Sequence, residues 1–523
     1  MQATSDAGPF FPKSGAIRWP ILIVLFVTAL GIRMVDSAMT PYFRFDTREY
    51  YSAVIAKGNY YELIDAPEPA RSAVILNRDR QPVNEPPVME FLVAHLWALL
   101  GDNNLAVATL LSSIFWLIGG WFVYQIAMLI GSSDGAIFAL AIYLFVPVGI
   151  IQSNNFQPDP LMIMMVLASI FTFLRYAQSP TTSRLVSAGI LTGLTILLKL
   201  QASFLLAPVF LMLSVYRHGW RKTFLGWHSY LFAVLALAPV GLYLFYGFFI
   251  TERFQENAGG RLLPNLLLTT TFWRGWLRLI NYEVGFILLV GGLLGVLASK
   301  DRLRRYLLIG MWLGYIFLGL VFTYNMHTHR YYHLPLIPIV ALSVAEGLAA
   351  YALYIKSNAA NRLARMAIYG LVALSISLSI ILVIGSHDNE PETLDYEAEV
   401  QAAVEIGQML DHDQNTIILG HAYALPMLYH SELSGATWLP SVEVAAWHLS
   451  GRSIPDDTPE HIAQRIFEES GIDDPSYFIV TDMHEWEHQV GLREYLTTHH
   501  PIVAETDLYI IFDLRSQLGR TQG

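Results

Sequence analysis

The chain has 523 residues, of which 54% are hydrophobic and 14% are charged, and its formal net charge is −11. A mean hydropathy of +0.43, with apolar runs too long for a soluble core, excludes an ordinary soluble enzyme and predicts an α-helical polytopic membrane protein. No cysteine is present, so disulfides, thiolate nucleophiles and thiolate metal sites are excluded as well.

The N-terminal region sets the predicted orientation in the membrane. Lys13 and Arg18 flank the start of the first apolar span, residues 17–35, and cytoplasmic segments retain positive charge. This pattern predicts a cytoplasmic N-terminus and an external loop after the span. The next apolar stretch, residues 88–100, is too short for a hydrocarbon core of about 30 Å, so we predict an interfacial helix there.

Two aspartates are predicted to share the outer face of the membrane. Asp46 lies in the loop after the first span, and two further spans, residues 105–130 and 136–152, precede Asp159. Asp46 is a candidate general base, although a cap of a helix starting near Thr47 explains it as well. Asp159 lies between two prolines, where an acid also stabilises a helix N-terminus.

A lysine interrupts the next hydrophobic block, residues 185–215. Both ends of the block are basic and are therefore predicted to be internal, so it must cross the membrane twice with short helices. Lys199-Leu200-Gln201 then falls near the outer turn of a cavity that opens outward. Because an ammonium group in an apolar block needs water or an anionic partner, Lys199 is a candidate ligand of a phosphate.

The remaining apolar segments bring the predicted total to about 11 spans. They follow at residues 161–177, 224–250, 284–298, 306–324, 334–354 and 366–385. Every substantial basic connection is internal except the loop at 251–283, which places Arg261 on the outer face. Arg330 begins the last external turn, and its planar guanidinium can bind a phosphate in a bidentate manner, although snorkelling to the interface is an alternative.

Acidic residues are concentrated at the C-terminal end. Residues 387–523 hold 25 of the 43 Asp and Glu side chains but only 5 of the 32 Lys and Arg side chains. We predict a transmembrane module over residues 1–386, with interfacial helices in an external loop at 36–104, and a separate external domain over 387–523. Short helical and strand patterns alternate in this segment, which predicts a small α/β domain.

The order of these features resembles the GT-C superfamily of membrane glycosyltransferases. The resemblance covers residues 17–355 and is closest to the branch of the protein O-mannosyltransferases and the lipid A aminoarabinose transferase. The motifs that carry it are an aspartate in the first external loop, Asn84-Glu85-Pro86-Pro87, Pro158-Asp159, Leu198-Lys199 and Arg330-Tyr331-Tyr332-His333-Leu334-Pro335. The aminoarabinose transferases have a lysine where Glu85 stands, so the resemblance does not identify the sugar or the acceptor of this chain.

The resemblance implies an inverting transfer of a sugar from a polyprenyl-phosphate donor to an acceptor hydroxyl at the outer face of the membrane. It implies that Asp46 is the general base and that Asp159 is a second residue of the catalytic site, which orients the reactants. The donor phosphate would be bound by Lys199, Arg330, Tyr331 and Arg261. The acceptor would be bound or positioned by Arg44, Arg48, Glu49 and Glu85.

Other expectations concern metals, partners and location. No metal site is predicted, although Asp46, Glu49 and Asp159 could supply oxygen ligands to a divalent cation. The histidines of the acidic segment are expected at the surface, because their spacing lacks the pattern of a ligand set. They are His484, His488, His499 and His500.

The expected acceptor is a glycolipid, a cell-wall glycan or a protein, and no nucleic-acid partner is expected. The expected location is the cell (inner) membrane, with the C-terminal domain in the periplasm or outside the cell. A transporter or lipid flippase is the alternative, because many spans with a few embedded charges also suit translocation. A third possibility is a non-catalytic scaffold that recruits partners through its acidic domain.

Overall fold

The computed structural model describes residues 10–11, 15–39, 47–82, 85–251, 254, 263–357, 366, 370, 396–441 and 458–518. The chain divides into two compact units, of which the first comprises residues 1–39, 83–86 and 109–390 and the second comprises residues 40–82, 87–108 and 391–523. The predicted domain boundary between 386 and 387 lies outside the described residues and stays a prediction.

Helices dominate the described residues. In chain order they are α1 (Gly15–Met39), α2 (Thr47–Leu63), α3 (Ala70–Arg80), α4 (Val88–Leu100), α5 (Leu105–Ile130), α6 (Ser133–Phe145), α7 (Pro147–Gln152), α8 (Asp159–Gln178), α9 (Thr182–Leu198), α10 (Ala202–Leu225), α11 (Trp227–Phe245), α12 (Thr270–Glu283), α13 (Gly285–Ala298), α14 (Arg302–Val321), α15 (Thr323–Thr328), α16 (Leu336–Ser357), α17 (Tyr396–Met409), α18 (Leu425–Ser431), α19 (Pro459–Phe467), α20 (Met483–His488) and α21 (Val490–His499). The strands are β1 (Thr416–Leu419), β2 (Gly435–Thr437), β3 (Tyr477–Val480), β4 (Ile502–Glu505) and β5 (Ile510–Asp513).

The first unit contains the helices that can cross a membrane. Among the described residues seven helices are long and apolar enough, and α12 with α13, which meet at a 91° bend, form a candidate eighth span. A multi-pass membrane protein is thereby confirmed, whereas the predicted count of about 11 is not. The predicted span at 366–385 lies almost wholly outside the described residues. The predicted span at 136–152 is broken at Val146, between α6 and α7, because a residue that precedes a proline favours extended backbone.

The predicted interruption at Lys199 is present. Helix α9 ends at Leu198, and Lys199 is extended, with φ −153° and ψ 113°. The Lys199 amide donates to the carbonyl of Thr195, and its own carbonyl accepts from the amide of Ala202 at the start of α10. Each short helix therefore keeps its backbone bonds, and the lysine is placed between them.

Close helix packing holds α10 against α14. A Cβ atom added at Gly310 would lie 2.7 Å from Cα of Val209, and one added at Gly314 would lie 2.4 Å from the carbonyl oxygen of Leu205. Small residues four apart allow helix backbones to approach in this way inside membranes. This contact fixes the position of α10 and thus of the lysine that precedes it.

The second unit contains the predicted α/β domain. Its five-stranded sheet has the order β2-β1-β3-β5-β4, with β1 parallel to β2 and β3, and with β5 antiparallel to β3 and β4. The sequence analysis did not identify β2 and β4, because β2 has three residues and β4 is largely exposed. His500 is 1% exposed, so its predicted place at the surface is wrong. Its ring packs beside Tyr495 and Phe467.

The loop helices α2 to α4 belong to this second unit and contact its sheet domain. Nζ of Lys57 lies 2.9 Å from Oε1 of Glu432 and donates to the carbonyl oxygen of Tyr429 at 2.7 Å. The hydroxyl of Tyr50 lies 3.0 Å from Nε2 of His430. A partly buried ion pair and a partly buried tyrosine–histidine contact therefore join α2 to α18 and the residue that follows it.

The contact of His430 predicts a pH-dependent stability. Burial, together with the smaller effect of the nearby Lys57 charge, lowers the pKa of His430 from 6.5 to about 3. Because the folded pKa lies below the unfolded one, this stability is present above pH 6.5 and is lost as the pH falls towards 3. Each pH unit between 6.5 and 3 lowers the free energy of unfolding by at most about 1.4 kcal/mol.

Thermal unfolding of the full chain between pH 7 and pH 4 measures this effect. We expect the melting temperature to fall with pH less steeply for His430→Phe than for the unmodified protein. Replacement of the exposed His488 by phenylalanine is the control and should leave the slope unchanged. Equal slopes for His430→Phe and the unmodified protein would contradict the assignment to His430.

Candidate functional site

A buried ion pair forms the centre of the candidate site in the first unit. Nζ of Lys199 lies 2.8 Å from Oδ1 and 2.7 Å from Oδ2 of Asp159, and the two side chains are 4% and 2% exposed. Charges this deeply buried are tolerated only as a pair. The pair joins the first residue of α8 to the break between α9 and α10.

Each side chain of the ion pair is also stabilised by a second interaction. Asp159 begins α8, where the positive end of the helix dipole favours a carboxylate. Nζ of Lys199 also lies 5.5 Å from the centre of the Tyr331 ring, a favourable cation–π distance. Since an ammonium group has three N–H donors and two carboxylate oxygens face it, one donor remains for a ligand.

A short 3-10 helix, Arg330–His333, carries the second cation of the site. The Arg330 guanidinium is exposed, lies 4.5 Å from the centre of the Tyr282 ring and donates to the Tyr282 hydroxyl at 3.2 Å. Stacking on a tyrosine holds the guanidinium plane while leaving its edge open to solvent. Arg330 is therefore available to an anion, in contrast to the buried lysine.

A hydrogen-bond chain fixes this turn to the surrounding helices. Nε2 of His333 lies 2.9 Å from the carbonyl oxygen of Met326, which can only accept, so Nε2 carries the proton. Nδ1 therefore accepts from the Tyr315 hydroxyl at 2.7 Å, and that oxygen accepts from Nε1 of Trp276 at 3.0 Å. The neutral ring of His333 thus ties the turn to α12 and α14.

A second bond ties the same turn to the lysine-bearing break. Nε2 of Gln201 donates to the hydroxyl of Tyr332 at 2.6 Å. Arg330, Tyr331 and Lys199 are consequently held in one rigid arrangement. The sequence analysis quoted Tyr332 and His333 only as parts of a motif. The signal for their anchoring role was the presence of an aromatic residue and a histidine close to the candidate arginine, Arg330.

The structure brings together four of the predicted site residues, namely Asp159, Lys199, Arg330 and Tyr331. Glu85 also belongs to the first unit and is half-buried. Arg48 and Glu49 lie in the first turn of α2 in the second unit, where Arg48 packs over the ring of Tyr51 and Glu49 is buried. The predicted residues outside the described ranges are Asp46, Arg44 and Arg261.

Two further charged residues of the first unit escaped the sequence analysis. Arg33, within the first span, is fully buried, and its Nε donates to Oγ of Ser153 at 2.9 Å while its Nη atoms reach the carbonyl oxygen of Leu144. Glu283 is 1% exposed at the junction of α12 and α13. An ionisable residue inside an apolar helix was the available signal for Arg33.

The described residues contain no group of three or more His, Asp or Glu side chains placed to hold a metal ion. Asp46, a possible oxygen ligand, lies outside them. The absence of a metal site therefore stays a prediction.

One segment of the chain matches a known protein family. Residues 84–246 match the sequence model of the dolichyl-phosphate-mannose-protein mannosyltransferase family. No curated protein sequence matches the chain significantly.

Solved structures with this fold cover almost the entire chain. ArnT from Cupriavidus metallidurans in the apo state is 15% identical, with a TM-score of 0.63 over 95% of this chain and 98% of that one. The same protein bound to undecaprenyl phosphate has a TM-score of 0.60 over 94% of this chain and 97% of that one, again at 15% identity. The Archaeoglobus fulgidus oligosaccharyltransferase tethered with an acceptor peptide has a TM-score of 0.56 over 94% of this chain and 73% of that one, at 13% identity. The resemblance seen in the sequence is thus confirmed: residues 84–246 match the protein mannosyltransferase family, and the chain has the fold shared by ArnT and the archaeal oligosaccharyltransferase.

Proposed function

We propose that this protein transfers a sugar from a polyprenyl-phosphate donor to an acceptor hydroxyl at the outer face of the membrane. The observation that carries the proposal is the buried Lys199–Asp159 pair, held beside Tyr331 and within one rigid arrangement with the exposed Arg330. One buried cation, Lys199, and one exposed cation, Arg330, suit a phosphate group that is attached to a lipid. ArnT bound to undecaprenyl phosphate and the archaeal oligosaccharyltransferase AglB in complex with a dolichol-phosphate support this choice of ligand.

The basic residues have complementary tasks in this proposal. The third N–H of Lys199 donates to a phosphate oxygen from within the protein, while the guanidinium of Arg330 donates two parallel bonds from the solvent side. Arg261 adds a further cation. Their charges stabilise the negative charge that grows on the phosphate as it leaves. Asp159 acts through Lys199, because it holds the ammonium group charged and in place.

The reaction we propose is a single displacement. Asp46 takes the proton of the acceptor hydroxyl, and the acceptor oxygen forms a bond to the anomeric carbon of the sugar. The bond from that carbon to the phosphate oxygen breaks at the same time, and its electron pair leaves with the lipid phosphate. The configuration at the anomeric carbon is inverted. A phosphate leaving group needs no general acid, so one base suffices.

The acceptor side of the proposal rests on the first external loop. Arg44, Arg48, Glu49 and Glu85 position an acceptor, which is a glycolipid, a cell-wall glycan or a protein hydroxyl, for a hexosyl or pentosyl group. We place the reaction at the outer face of the inner membrane, with a cytoplasmic N-terminus and a periplasmic or extracellular C-terminal domain. A transporter or flippase, the alternative drawn from the sequence, has no support from the comparisons.

Mass spectrometry of membrane glycolipids, cell-wall glycans and glycoproteins, with and without the gene, tests the function. We expect one acceptor to lose a single sugar and to regain it when the unmodified gene is restored. Restoring the gene with Asp46→Asn should not return the sugar. An unchanged set of glycans, together with an altered distribution of a lipid between the two leaflets, would favour a flippase instead.

A further inference from the structure

A cavity opens at the end of the membrane helices that lies opposite the Lys199–Asp159 pair. Its volume is about 550 Å³, and it is lined by the ends of α5, α8 and α10 and by the start of α14. Helix α8 runs from Asp159 to the cavity residue Gln178, and at about 1.5 Å per residue it is roughly 28 Å long. Because the hydrocarbon core of a bilayer is about 30 Å thick, the cavity and the ion pair belong to opposite membrane surfaces.

The residues beside the cavity place it at the level of the lipid headgroups. Helix α10 has a break at Gly219, where φ is 74° and ψ is 164°, shortly after the cavity residue Arg217. Beyond the break Trp220 is 60% exposed, and Trp227 at the start of α11 is 55% exposed. Tryptophan is enriched at membrane–water interfaces, where its ring contacts lipid and its N–H stays hydrated. The cavity therefore opens where phospholipid headgroups lie.

Charged side chains of both signs line the cavity, namely Arg217, Arg304 and Asp301. Nε of Arg304 donates to the carbonyl oxygen of Ile130 at 2.9 Å, which holds the guanidinium at the cavity. Nη2 of Arg304 lies 3.8 Å from Oε2 of Glu346, so its charge is partly offset. The exposed Arg217 supplies a second positive charge. Two guanidinium groups that line one cavity suit a phosphate.

The carboxyl group of Asp301 is exposed at the same cavity. Its Oδ1 accepts a hydrogen bond from the amide of Arg304 at 2.8 Å, as the N-cap of α14. A carboxylate has two oxygens, so Oδ2 can accept from a further donor. Asp301 repels a ligand that has only a phosphate, but it attracts one that also has an ammonium group.

We propose that this cavity binds the headgroup of an aminophospholipid, a phosphate diester that carries an ammonium group, as in phosphatidylethanolamine. The guanidinium groups of Arg217 and Arg304 donate to the phosphate oxygens, and Oδ2 of Asp301 accepts from the ammonium group. Basic pockets between membrane helices bind phospholipid headgroups by the same chemistry. The site does not depend on the proposed sugar transfer, because it lies at the opposite membrane surface.

Lipid binding to the full-length protein in a neutral detergent, measured by native mass spectrometry, tests this assignment. The probes are phosphatidylethanolamine, phosphatidylglycerol, which has no ammonium group, and phosphatidylcholine, whose trimethylated ammonium cannot donate a hydrogen bond. We expect phosphatidylethanolamine to bind most tightly to the unmodified protein. Glycerophosphoethanolamine has the same headgroup without acyl chains, and it should bind more weakly than the lipid because its apolar contacts are missing.

Two substitutions separate the two charges of the headgroup. Arg217→Ala should weaken binding of phosphatidylethanolamine and of phosphatidylglycerol about fivefold, as expected for an ion pair at an exposed site. Asp301→Asn keeps a helix cap but removes the charge, so it should weaken binding of phosphatidylethanolamine and leave that of phosphatidylglycerol unchanged or tighter. The control is Arg221→Ala, at an exposed arginine of α10 outside the cavity lining, which should bind both lipids normally.

Several results would overturn the assignment. Equal losses in Arg217→Ala and Arg221→Ala, or no loss in either, would show that the cavity does not recognise the phosphate. An equal loss of both lipids in Asp301→Asn, or an unmodified protein that binds phosphatidylglycerol as tightly as phosphatidylethanolamine, would remove the ammonium subsite. Glycerophosphoethanolamine that binds as tightly as the lipid would remove a membrane lipid as the source of the headgroup.

Discussion

Replacing Asp46 by asparagine should abolish sugar transfer while leaving binding of the lipid carrier intact. Asparagine has the same shape but cannot accept the proton of the acceptor hydroxyl, and loss of a general base costs about 100-fold to 10,000-fold in rate. The residues proposed to bind the carrier phosphate, Lys199 and Arg330, belong to the first unit and are unchanged, so the affinity for the carrier should not change. The turnover of purified protein and its binding of undecaprenyl phosphate measure the two effects separately.

The control for this substitution is Asp65→Asn. Asp65 is an exposed aspartate between α2 and α3 in the loop that also contains Asp46, so the change alters the charge of the loop without touching the proposed base. It should transfer sugar at the normal rate. Near-normal turnover by Asp46→Asn would remove Asp46 as the base, and equal losses in the two variants would assign the effect to loop charge.

Breaking the Lys199–Asp159 pair should destabilise the protein and weaken donor binding, and a double substitution can separate the two effects. Lys199→Met leaves Asp159 buried without its cation, and Asp159→Asn leaves the ammonium without its anion. Removing one partner of a buried pair costs about 3–5 kcal/mol. The double variant Lys199→Met with Asp159→Asn has no unpaired charge, so it should recover most of the lost thermal stability.

Donor binding should not recover in that double variant. The proposed ligand of the phosphate is the ammonium group itself, so binding of undecaprenyl phosphate should stay at least about tenfold weaker, as expected for one charged hydrogen bond. Thermal unfolding and carrier binding, measured on the same preparations, distinguish the effect of the pair on stability from its effect on donor binding. A stable double variant that binds the carrier normally would show that the pair serves only to hold helices together.

The sequence was sufficient for features that follow from hydrophobic length and from isolated charges. The short stretch at 88–100 predicted a helix with the bounds that α4 has, and the lysine within the block at 185–215 marked the break between α9 and α10. Both signals are local. A charged side chain in an apolar run must find a partner whatever the rest of the chain does.

Features that depend on distant partners could not be read in the same way. The contact between Lys199 and Asp159 spans 40 residues, and that between Gln201 and Tyr332 spans 131. Glu283 ends the segment predicted as a loop, residues 251–283, whereas in the structure it is the buried last residue of α12. The edge strand β2 has only three residues, and the apolar side chains of β4, Ile502 and Val503, are exposed, so neither strand shows the alternation of buried and exposed positions expected of a half-buried strand.

The contact between α2 and α18 has a consequence for the order in which the protein is made. Lys57 and the carbonyl of Tyr429 are separated by 372 residues, and the whole membrane module is synthesised between them. The loop helices therefore leave the ribosome long before the segment that covers them exists. Until residue 432 has been translated, Lys57 must remain hydrated, and the helix that follows directly after Asp46 lacks the ion pair that holds it. The second unit can thus be completed only after the membrane module has been synthesised, and a chain that stops early lacks the segment that covers its loop helices.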